Sequence, residues 1–236
     1  MRLDKYLAEA GLGSRKEVKM ILKTGKVTVN DQKVKDGKLH VEPDKDSINY
    51  DGQPIGYQEF YYYLLNKPAG VVSATKDNKD KTVVELLKGK DFREDLFPVG
   101  RLDKDTEGLL LLTNDGPLSH NLLSPKKHVE KEYFAQIQGQ VTQETVREFA
   151  AGLTLKSGEN VKPGQLFIEK SEENKSEIRL IIHEGKFHQV KRMFEAVGMK
   201  VTYLKRLRMG SLRLDPELTK GAYRPLTEEE ILKLKE

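Results

Sequence analysis

The chain has 236 residues, of which 37% are hydrophobic and 33% charged, and its formal net charge is +4. It contains no cysteine, which excludes disulfides, thiolate zinc sites and a cysteine nucleophile. No apolar run approaches the roughly 18 residues of a membrane span, and the start lacks the apolar core of a signal peptide. We therefore expect a soluble cytoplasmic protein with no membrane partner, built as one large domain or two smaller ones.

The positive charge is concentrated in two regions. Residues 1–38 hold ten Lys/Arg against five Asp/Glu, and residues 185–210 hold seven against one. Segregated positive charge, more than total charge, marks a surface that binds polyanions. Either cluster alone fits a solvated helix face, but two separate clusters favour nucleic acid as the partner.

The first 58 residues predict a small domain. Leu3, Leu7 and Ala10 lie on one face of a helix, and two glycines follow it. Ser14 and Glu17 have the spacing of a capping box that opens a second helix. Short strand and turn patterns continue to residue 50, and the turn-rich residues 52–59 place a domain boundary near residue 58.

The run from Ser14 to Val34, SRKEVKMILKTGKVTVNDQKV, resembles the S4 domain, an RNA-binding module. The resemblance implies that the second helix and the turn after it contact the RNA backbone, which positions a protein without reading sequence. A helical hairpin with a solvated basic face is the alternative. The implied phosphate contacts are Arg15, Lys16, Lys19, Lys23 and Lys26.

Residues 59–236 predict a second domain in which strands dominate. Strands are expected at 60–65, 109–112, 131–137, 165–170, 177–183 and 200–204, and helices at 82–88, 116–123, 142–151, 187–197 and after Thr227. Hairpin-length links favour antiparallel neighbours. The predicted fold class is α+β: a small N-terminal α/β domain, then a larger domain with a mostly antiparallel mixed sheet flanked by helices.

The stretch from Phe97 to Gly116, FPVGRLDKDTEGLLLLTNDG, places Asp103 between Arg101 and an apolar run. The run predicts a buried strand, and the residues before it predict a loop. A carboxylate on a loop anchored by a rigid strand is a common way to present a reactive group. A solvated turn is equally compatible with this pattern alone.

Motifs for metals and nucleotides do not fit. Asp103-Lys104-Asp105-Thr106 is similar to a phosphatase loop, but Thr106 comes one position early and no apolar strand precedes it. His183 and His188 are five residues apart, not the four that place two imidazoles on one metal. The glycines form neither a P-loop nor a dinucleotide fingerprint. We expect no metal, nucleotide or other cofactor.

Residues 61–236 resemble the pseudouridine synthases. Four segments carry the resemblance: NKPAG from Asn66, GRLDKDTEGLLLLTNDG from Gly100, KEY from Lys131 and EGKFHQVKRM from Glu184. Together with the S4 resemblance they point to the branch that modifies ribosomal RNA at a single site. The ending GAYRPLTEEEI, from Gly221, is similar to the 16S branch. A 23S enzyme or a non-catalytic RNA-binding or assembly protein is the alternative.

The resemblance implies catalytic roles for Asp103, Tyr133 and Lys191. Asp103 would act at C1′ of the uridine as nucleophile or base, and Lys191 would offset the desolvation of that carboxylate. Tyr133 would stack on the uracil and is a candidate for removing the C5 proton. Lysine supplies charge without the bidentate geometry of the arginine that much of the family has there.

Further RNA contacts are expected from Lys67, Arg101 and Arg192. Arg101 is the candidate for filling the gap that the displaced base leaves, or for a phosphate contact. Lys67 follows a strand and would face a phosphate or solvent. The expected partner is 16S ribosomal RNA or an assembling small subunit, and a monomer is expected.

Overall fold

The computed structural model describes residues 1–236, except for the side chain of Lys90. The chain divides into two compact units, Met1–Phe60 and Tyr61–Glu236. None of the described helices combines the length and the apolar character needed to cross a membrane.

The first unit packs two helices and four short strands around its own core. Leu3, Leu7, Val18 and Leu22 are all at most 1% exposed and bring the two helices together. The strands form one sheet in the order β2-β1-β3-β4. Its elements are α1 (Leu3–Leu7), α2 (Arg15–Lys23), β1 (Val27–Val29), β2 (Gln32–Lys33), β3 (Ile48–Tyr50) and β4 (Gln53–Pro54).

The beginnings and ends of these two helices follow the sequence. The Ser14 backbone N–H donates to Glu17 at 2.7 Å, and the Glu17 N–H donates to the Ser14 hydroxyl at 3.4 Å, so the predicted capping box is confirmed. After α1 the chain makes one π-helical turn, Ala8–Leu12, that contains Gly11 at φ 90°. This left-handed residue ends the first helix, as glycine commonly does.

The second unit is organised on one nine-stranded sheet with helices beside it. A separate two-stranded ribbon holds β9 and β10. The strands are β5 (Tyr62–Lys67), β6 (Phe97–Pro98), β7 (Glu107–Thr113), β8 (Lys131–Gln138), β9 (Leu153–Thr154), β10 (Asn160–Val161), β11 (Gln165–Glu172), β12 (Lys175–Ile182), β13 (Lys200–Met209), β14 (Leu212–Arg213) and β15 (Tyr223–Pro225). The helices are α3 (Gly116–Leu123), α4 (Gln143–Ala151), α5 (Gln189–Ala196) and α6 (Glu228–Lys235).

The main path of the large sheet runs β11-β12-β8-β13-β7-β5-β15, with β14 beside β13 and β6 beside β7. Among these described strands the β13–β7 pair is parallel and the other pairs are antiparallel. The predicted α+β class with a mostly antiparallel mixed sheet is therefore confirmed. The Leu109–Leu112 run is completely buried, as its apolar sequence predicts.

The parallel pair joins the two halves of the sheet at a glycine. Gly108 lies opposite Arg206 in the register and has φ +99°. A Cβ atom on Gly108 would lie 2.3 Å from the Arg206 carbonyl oxygen, a distance that no side chain tolerates. Only glycine combines this backbone conformation with this approach, so Gly108 fixes where β7 meets β13.

Two predicted helices differ in the structure. Residues 82–88 form only a 3-10 turn, Val84–Leu86, whose apolar neighbours Val83 and Leu87 are buried in the core. Tertiary burial of these side chains outweighs helix propensity in so short a segment. The helix expected from residue 187 begins at Gln189, because Phe187 and His188 form the turn before it.

Candidate active site

The loop that carries Asp103 is anchored by a buried ammonium group. Lys67, the last residue of β5, has no exposed surface. Its Nζ donates to the carbonyl oxygens of Thr106 at 2.8 Å, of Pro68 and Asp103 at 3.0 Å, and of Lys104 at 3.3 Å. One cation therefore binds the backbone of Asp103 itself, of two residues that follow it and of Pro68.

The prediction that Lys67 contacts RNA is wrong. The side chain is fully buried and its donors are directed at main-chain carbonyls, so no phosphate can reach it. Burial lowers the pKa of Lys67 to about 8, although the nearby carboxylates of Asp105, Asp103 and Glu107 act in the opposite direction. Its position at the end of a strand suggested exposure, but the loop folds back over it.

Further hydrogen bonds hold the same loop. The Ser73 hydroxyl accepts from the Leu102 N–H at 3.0 Å and donates to the Leu102 carbonyl at 2.9 Å. The Gly70 N–H donates to the Lys104 carbonyl at 2.7 Å. The loop is thereby tied to the segment that follows β5 and by chain connectivity to β7, which fixes the position of its side chains.

The Asp103 carboxylate faces two cationic or polar groups from another element. Lys191 of α5 places its Nζ 2.9 Å from Oδ2, and the His188 Nε2 lies 3.5 Å from Oδ1. The Asp103 side chain is 24% exposed, so a ligand can reach it. The structure thus brings together Asp103 and Lys191, which the sequence places 88 residues apart.

Lys191 bridges two carboxylates. Its Nζ lies 2.7 Å from Oδ1 of Asp105 as well as 2.9 Å from Asp103. Burial works against the charge of Lys191, but its hydrogen bonds to Asp105 and Asp103 outweigh burial and raise its pKa. For Asp105 burial likewise works against the charge, and the bond to Lys191 outweighs it and lowers the pKa. Both shifts favour the charged forms of Lys191 and Asp105.

A pocket opens beside this cluster. Arg101, Asp103, Tyr133, His188 and Gln189 are among the residues that line it. Tyr133 lies on β8 and is 8% exposed, which leaves its ring mostly covered. Arg101 is exposed, and its guanidinium has no hydrogen-bond or ion-pair partner among the side chains that the structure describes. Two of the predicted residues, Tyr133 and Arg101, thus share one pocket with Asp103.

Three residues of this site were absent from the sequence-based set: Asp105, His188 and Gln189. Asp105 stands two residues after Asp103, close enough in sequence to share its cation. His188 precedes Lys191 by three residues, a spacing that places two side chains on the same side when the segment is helical. The motifs contained all three, but residue type alone gave no reason to choose them.

The predicted phosphate contacts of the first unit lie on its surface. Arg15, Lys16, Lys19 and Lys23 are exposed along α2, and none of them forms an ion pair with a side chain that the structure describes. Lys26 is also exposed, but its Nζ lies 2.8 Å from Oδ2 of Asp51. The four unpaired cations form a positive surface on one short helix, which we call the α2 basic face.

The second positive cluster, residues 185–210, is mostly neutralised within the protein. Arg192 donates to Glu159 at 2.8 Å and to Ser157 at 2.8 Å, and its side chain is 24% exposed. Five of the seven cations are paired with carboxylates or buried: Lys186, Lys191, Arg192, Arg206 and Arg208. Its sequence charge therefore overstates the positive surface that this segment presents.

The site offers two reachable carboxylates, Asp103 and the more exposed Asp105, together with a lysine that pairs with both and an aromatic ring in the same pocket. Among the described residues no three His, Asp or Glu side chains are grouped so that they could hold a metal ion. Such a carboxylate can attack an electrophilic carbon or accept a proton.

Comparisons with protein families match both units. The model for the RNA pseudouridylate synthase family matches residues 61–196, and the model for the S4 domain matches residues 1–46. The first match alone covers more than half of the chain. The resemblance that the sequence motifs indicated is therefore confirmed for both units.

Curated relatives extend over the whole chain. It is 50% identical over 236 residues to the "Uncharacterized RNA pseudouridine synthase YtzG" of Bacillus subtilis (strain 168), with 100% of this chain and 99% of the relative covered. It is 40% identical over 233 residues to "Ribosomal small subunit pseudouridine synthase A" of Escherichia coli (strain K12), with 98% of each covered. A crystal structure of a pseudouridylate synthase has a TM-score of 0.69, 37% identity and 99% coverage of both chains.

Proposed function

Because the chain belongs to the RNA pseudouridine synthases and carries an S4 domain, we propose that it converts one uridine of small-subunit ribosomal RNA into pseudouridine. Relatives that are about 40% identical over 98% of the chain are named small-subunit pseudouridine synthases. The proposed site is supported chiefly by the Asp103 carboxylate. It lies on a loop that Lys67 anchors, and it is paired with Lys191 at 2.9 Å.

Asp103 is the proposed nucleophile. Its carboxylate attacks C1′ of the ribose, the N1–C1′ bond breaks, and the electron pair of that bond stays on the uracil. The uracil turns in the pocket, C5 attacks C1′, and the bond to Asp103 breaks. A proton then leaves C5, and N1 gains one, so atoms and electrons balance without a redox partner or an energy source.

Lys191 and Tyr133 support these steps in the proposal. Lys191, which pairs with Asp103, offsets the desolvation of that carboxylate when an incoming nucleotide displaces water from the pocket. Tyr133 is among the residues that line the pocket; its ring is our candidate for stacking on the uracil, and its hydroxyl is our candidate for receiving the C5 proton. Arg101, which lies on the same pocket and is exposed, is our candidate for contacting the displaced strand or a phosphate.

The α2 basic face supplies the sequence-independent part of RNA binding. Arg15, Lys16, Lys19 and Lys23 are exposed on it, and exposed unpaired cations release counterions when they contact phosphates. Lys26 belongs to the same proposal, although it must exchange Asp51 for a phosphate. Arg192 would also have to leave Glu159, which makes it the weakest of the proposed contacts.

The test compares two neighbouring aspartates. Asp103→Asn should abolish pseudouridine formation and leave RNA affinity nearly unchanged, because the shape of the side chain is kept while the nucleophile is lost. Asp105→Asn is the matched control, since it removes the other carboxylate on Lys191 but not the reacting group. The measurement is tritium release from small-subunit ribosomal RNA labelled at uridine C5.

The expected outcome is no release above background for Asp103→Asn and substantial turnover for Asp105→Asn. A variant with Asn at position 103 that still forms pseudouridine would refute the assignment of the nucleophile. Loss of turnover in Asp105→Asn alone would move that role to Asp105. Filter binding of both variants to the same RNA separates a chemical defect from a binding defect.

A further inference from the structure

Phe187 is the most exposed of the large hydrophobic residues that the structure describes, with 73% of its surface accessible. Its ring does not project alone. It stacks on the imidazole of His188 with 3.8 Å between ring centroids and 18° between ring planes. One face of Phe187 is thus covered by a histidine, and the high exposure leaves the other face open to solvent.

The turn that carries this ring pair is fixed by hydrogen bonds. The Arg192 guanidinium donates to the Phe187 carbonyl at 3.2 Å. The Gln189 side chain accepts from the Lys186 N–H at 2.9 Å and donates to Glu184 at 3.1 Å. His188 has φ 48° and ψ 33°, a left-handed conformation that a non-glycine residue keeps only when its surroundings impose it.

The ring pair stands at the edge of the active-site pocket. His188 lines that pocket, and its Nε2 lies 3.5 Å from Oδ1 of Asp103. The imidazole therefore approaches Asp103 through Nε2 and Phe187 through a ring face. A further pocket residue, the exposed Arg101, adds positive charge on this rim.

We infer that the open face of Phe187 stacks on the nucleobase next to the target uridine. The inference rests on the proposed function and adds to it a second base-binding position. When a target base leaves its stack, its neighbour loses a stacking partner, and that loss is part of the cost of extrusion. An exposed, rigid aromatic ring beside a cationic rim replaces the lost partner, as aromatic platforms for single-stranded RNA do.

The absence of tryptophan from the chain makes a direct test possible. Phe187→Trp places a single tryptophan on the platform and keeps an aromatic face there. Phe167→Trp is the control: Phe167 lies on β11, is 41% exposed and packs beneath the Arg179 guanidinium. Both variants are titrated with small-subunit ribosomal RNA while tryptophan fluorescence is excited selectively over tyrosine.

We expect RNA to quench the fluorescence of Phe187→Trp and to leave that of Phe167→Trp nearly unchanged. Quenching to the same extent in both variants, or none in Phe187→Trp while filter binding shows a complex, would overturn the inference. The fluorescence titrations require RNA binding but no turnover, so they test the stacking of Phe187 independently of the proposed activity. The proposed activity itself fails if the wild type forms no pseudouridine. Failure of the wild type to bind the RNA would overturn both.

Activity gives a second, independent reading. Phe187→Leu keeps an apolar side chain but removes the aromatic face, and kcat/KM should fall about ten-fold, within the range that one stacked base supplies. Phe187→Tyr should stay within about two-fold of the wild type, because a tyrosine ring stacks equally well. Equal activity of the leucine variant would contradict a role in stacking. Phe167→Leu serves as the control.

Discussion

The buried Lys67 ammonium gives the sharpest prediction about catalysis. Lys67→Met keeps most of the side-chain volume and removes the charge and all donors. Four carbonyl oxygens, those of Pro68, Asp103, Lys104 and Thr106, then lose a hydrogen bond from the ammonium. The loop that carries the proposed nucleophile loses its central anchor, so we expect a large loss of turnover and little loss of RNA binding.

Lys67→Met should lower the stability of the protein only modestly but lower its activity strongly. Burying the charge lowers the pKa of Lys67 from 10.5 to about 8, a difference that corresponds to roughly 3 kcal/mol. Leaving buried carbonyls without donors costs about 1–3 kcal/mol each, reduced where the loop relaxes or a second donor remains. The two effects oppose each other, so the free energy of unfolding should fall by only about 2 kcal/mol. A displacement of about 1 Å at a reacting group can cost about 100-fold in rate.

The assay is tritium release at saturating RNA, with thermal unfolding measured on the same preparations. The matched control is Lys104→Met, which removes a lysine from the same loop whose Nζ instead pairs with Asp80 at the surface, 2.6 Å away. We expect kcat about 100-fold below wild type for Lys67→Met and within about two-fold for Lys104→Met. A folded Lys67→Met variant with nearly normal kcat would refute the view that this ammonium positions Asp103.

Three further predictions concern stability and binding. Between about pH 8 and pH 10.5 the unfolded chain binds a proton at Lys67 that the folded chain does not. The free energy of unfolding of the wild type should therefore rise with pH relative to that of Lys67→Met, by up to about 3 kcal/mol. Chemical denaturation at both ends of that range measures this difference, and a difference of opposite sign contradicts it. Gly108→Ala should unfold the protein or destabilise it by more than about 3 kcal/mol, because the new Cβ would lie 2.3 Å from a backbone oxygen. The control Gly158→Ala is also at positive φ but has open space around it, so it should cost about 1 kcal/mol. Thermal unfolding measures both. Replacing Lys19 and Lys23 by Ala should weaken RNA binding and reduce the slope of log affinity against log salt by about 1.5, measured by filter binding, and an unchanged slope would remove both residues from the RNA interface.

Regular local patterns made much of the fold predictable. The Leu109–Leu112 strand, the capping box at Ser14 and the helix after Thr227 depend on neighbouring residues in sequence, and the structure has all three. The Asp103 loop was also identifiable, because the motif around it is long. Its pairing with Lys191 followed only from resemblance, since nothing local links residues 88 positions apart.

The wrong predictions concern residues whose surroundings are formed by segments distant in sequence. Lys67 is buried because the loop at residues 103–106 supplies three carbonyls and Pro68 a fourth, whereas lysines are almost always exposed. The positive run at residues 205–208 contains Arg206, 3% exposed, and Arg208, which pairs with Glu132 at 3.0 Å. Charge counts along the chain could not reveal these partners, because cross-strand pairing supplies them.

The central claim is that this chain makes pseudouridine at one position of small-subunit ribosomal RNA and uses Asp103 to do so. The most direct measurement is pseudouridine mapping, by carbodiimide labelling and primer extension, on ribosomal RNA from cells that lack the protein. We expect one pseudouridine to be lost from 16S RNA and to return with the wild-type gene but not with the Asp103→Asn gene. Loss of a 23S site would contradict the proposed substrate, and no lost site would contradict the proposed activity.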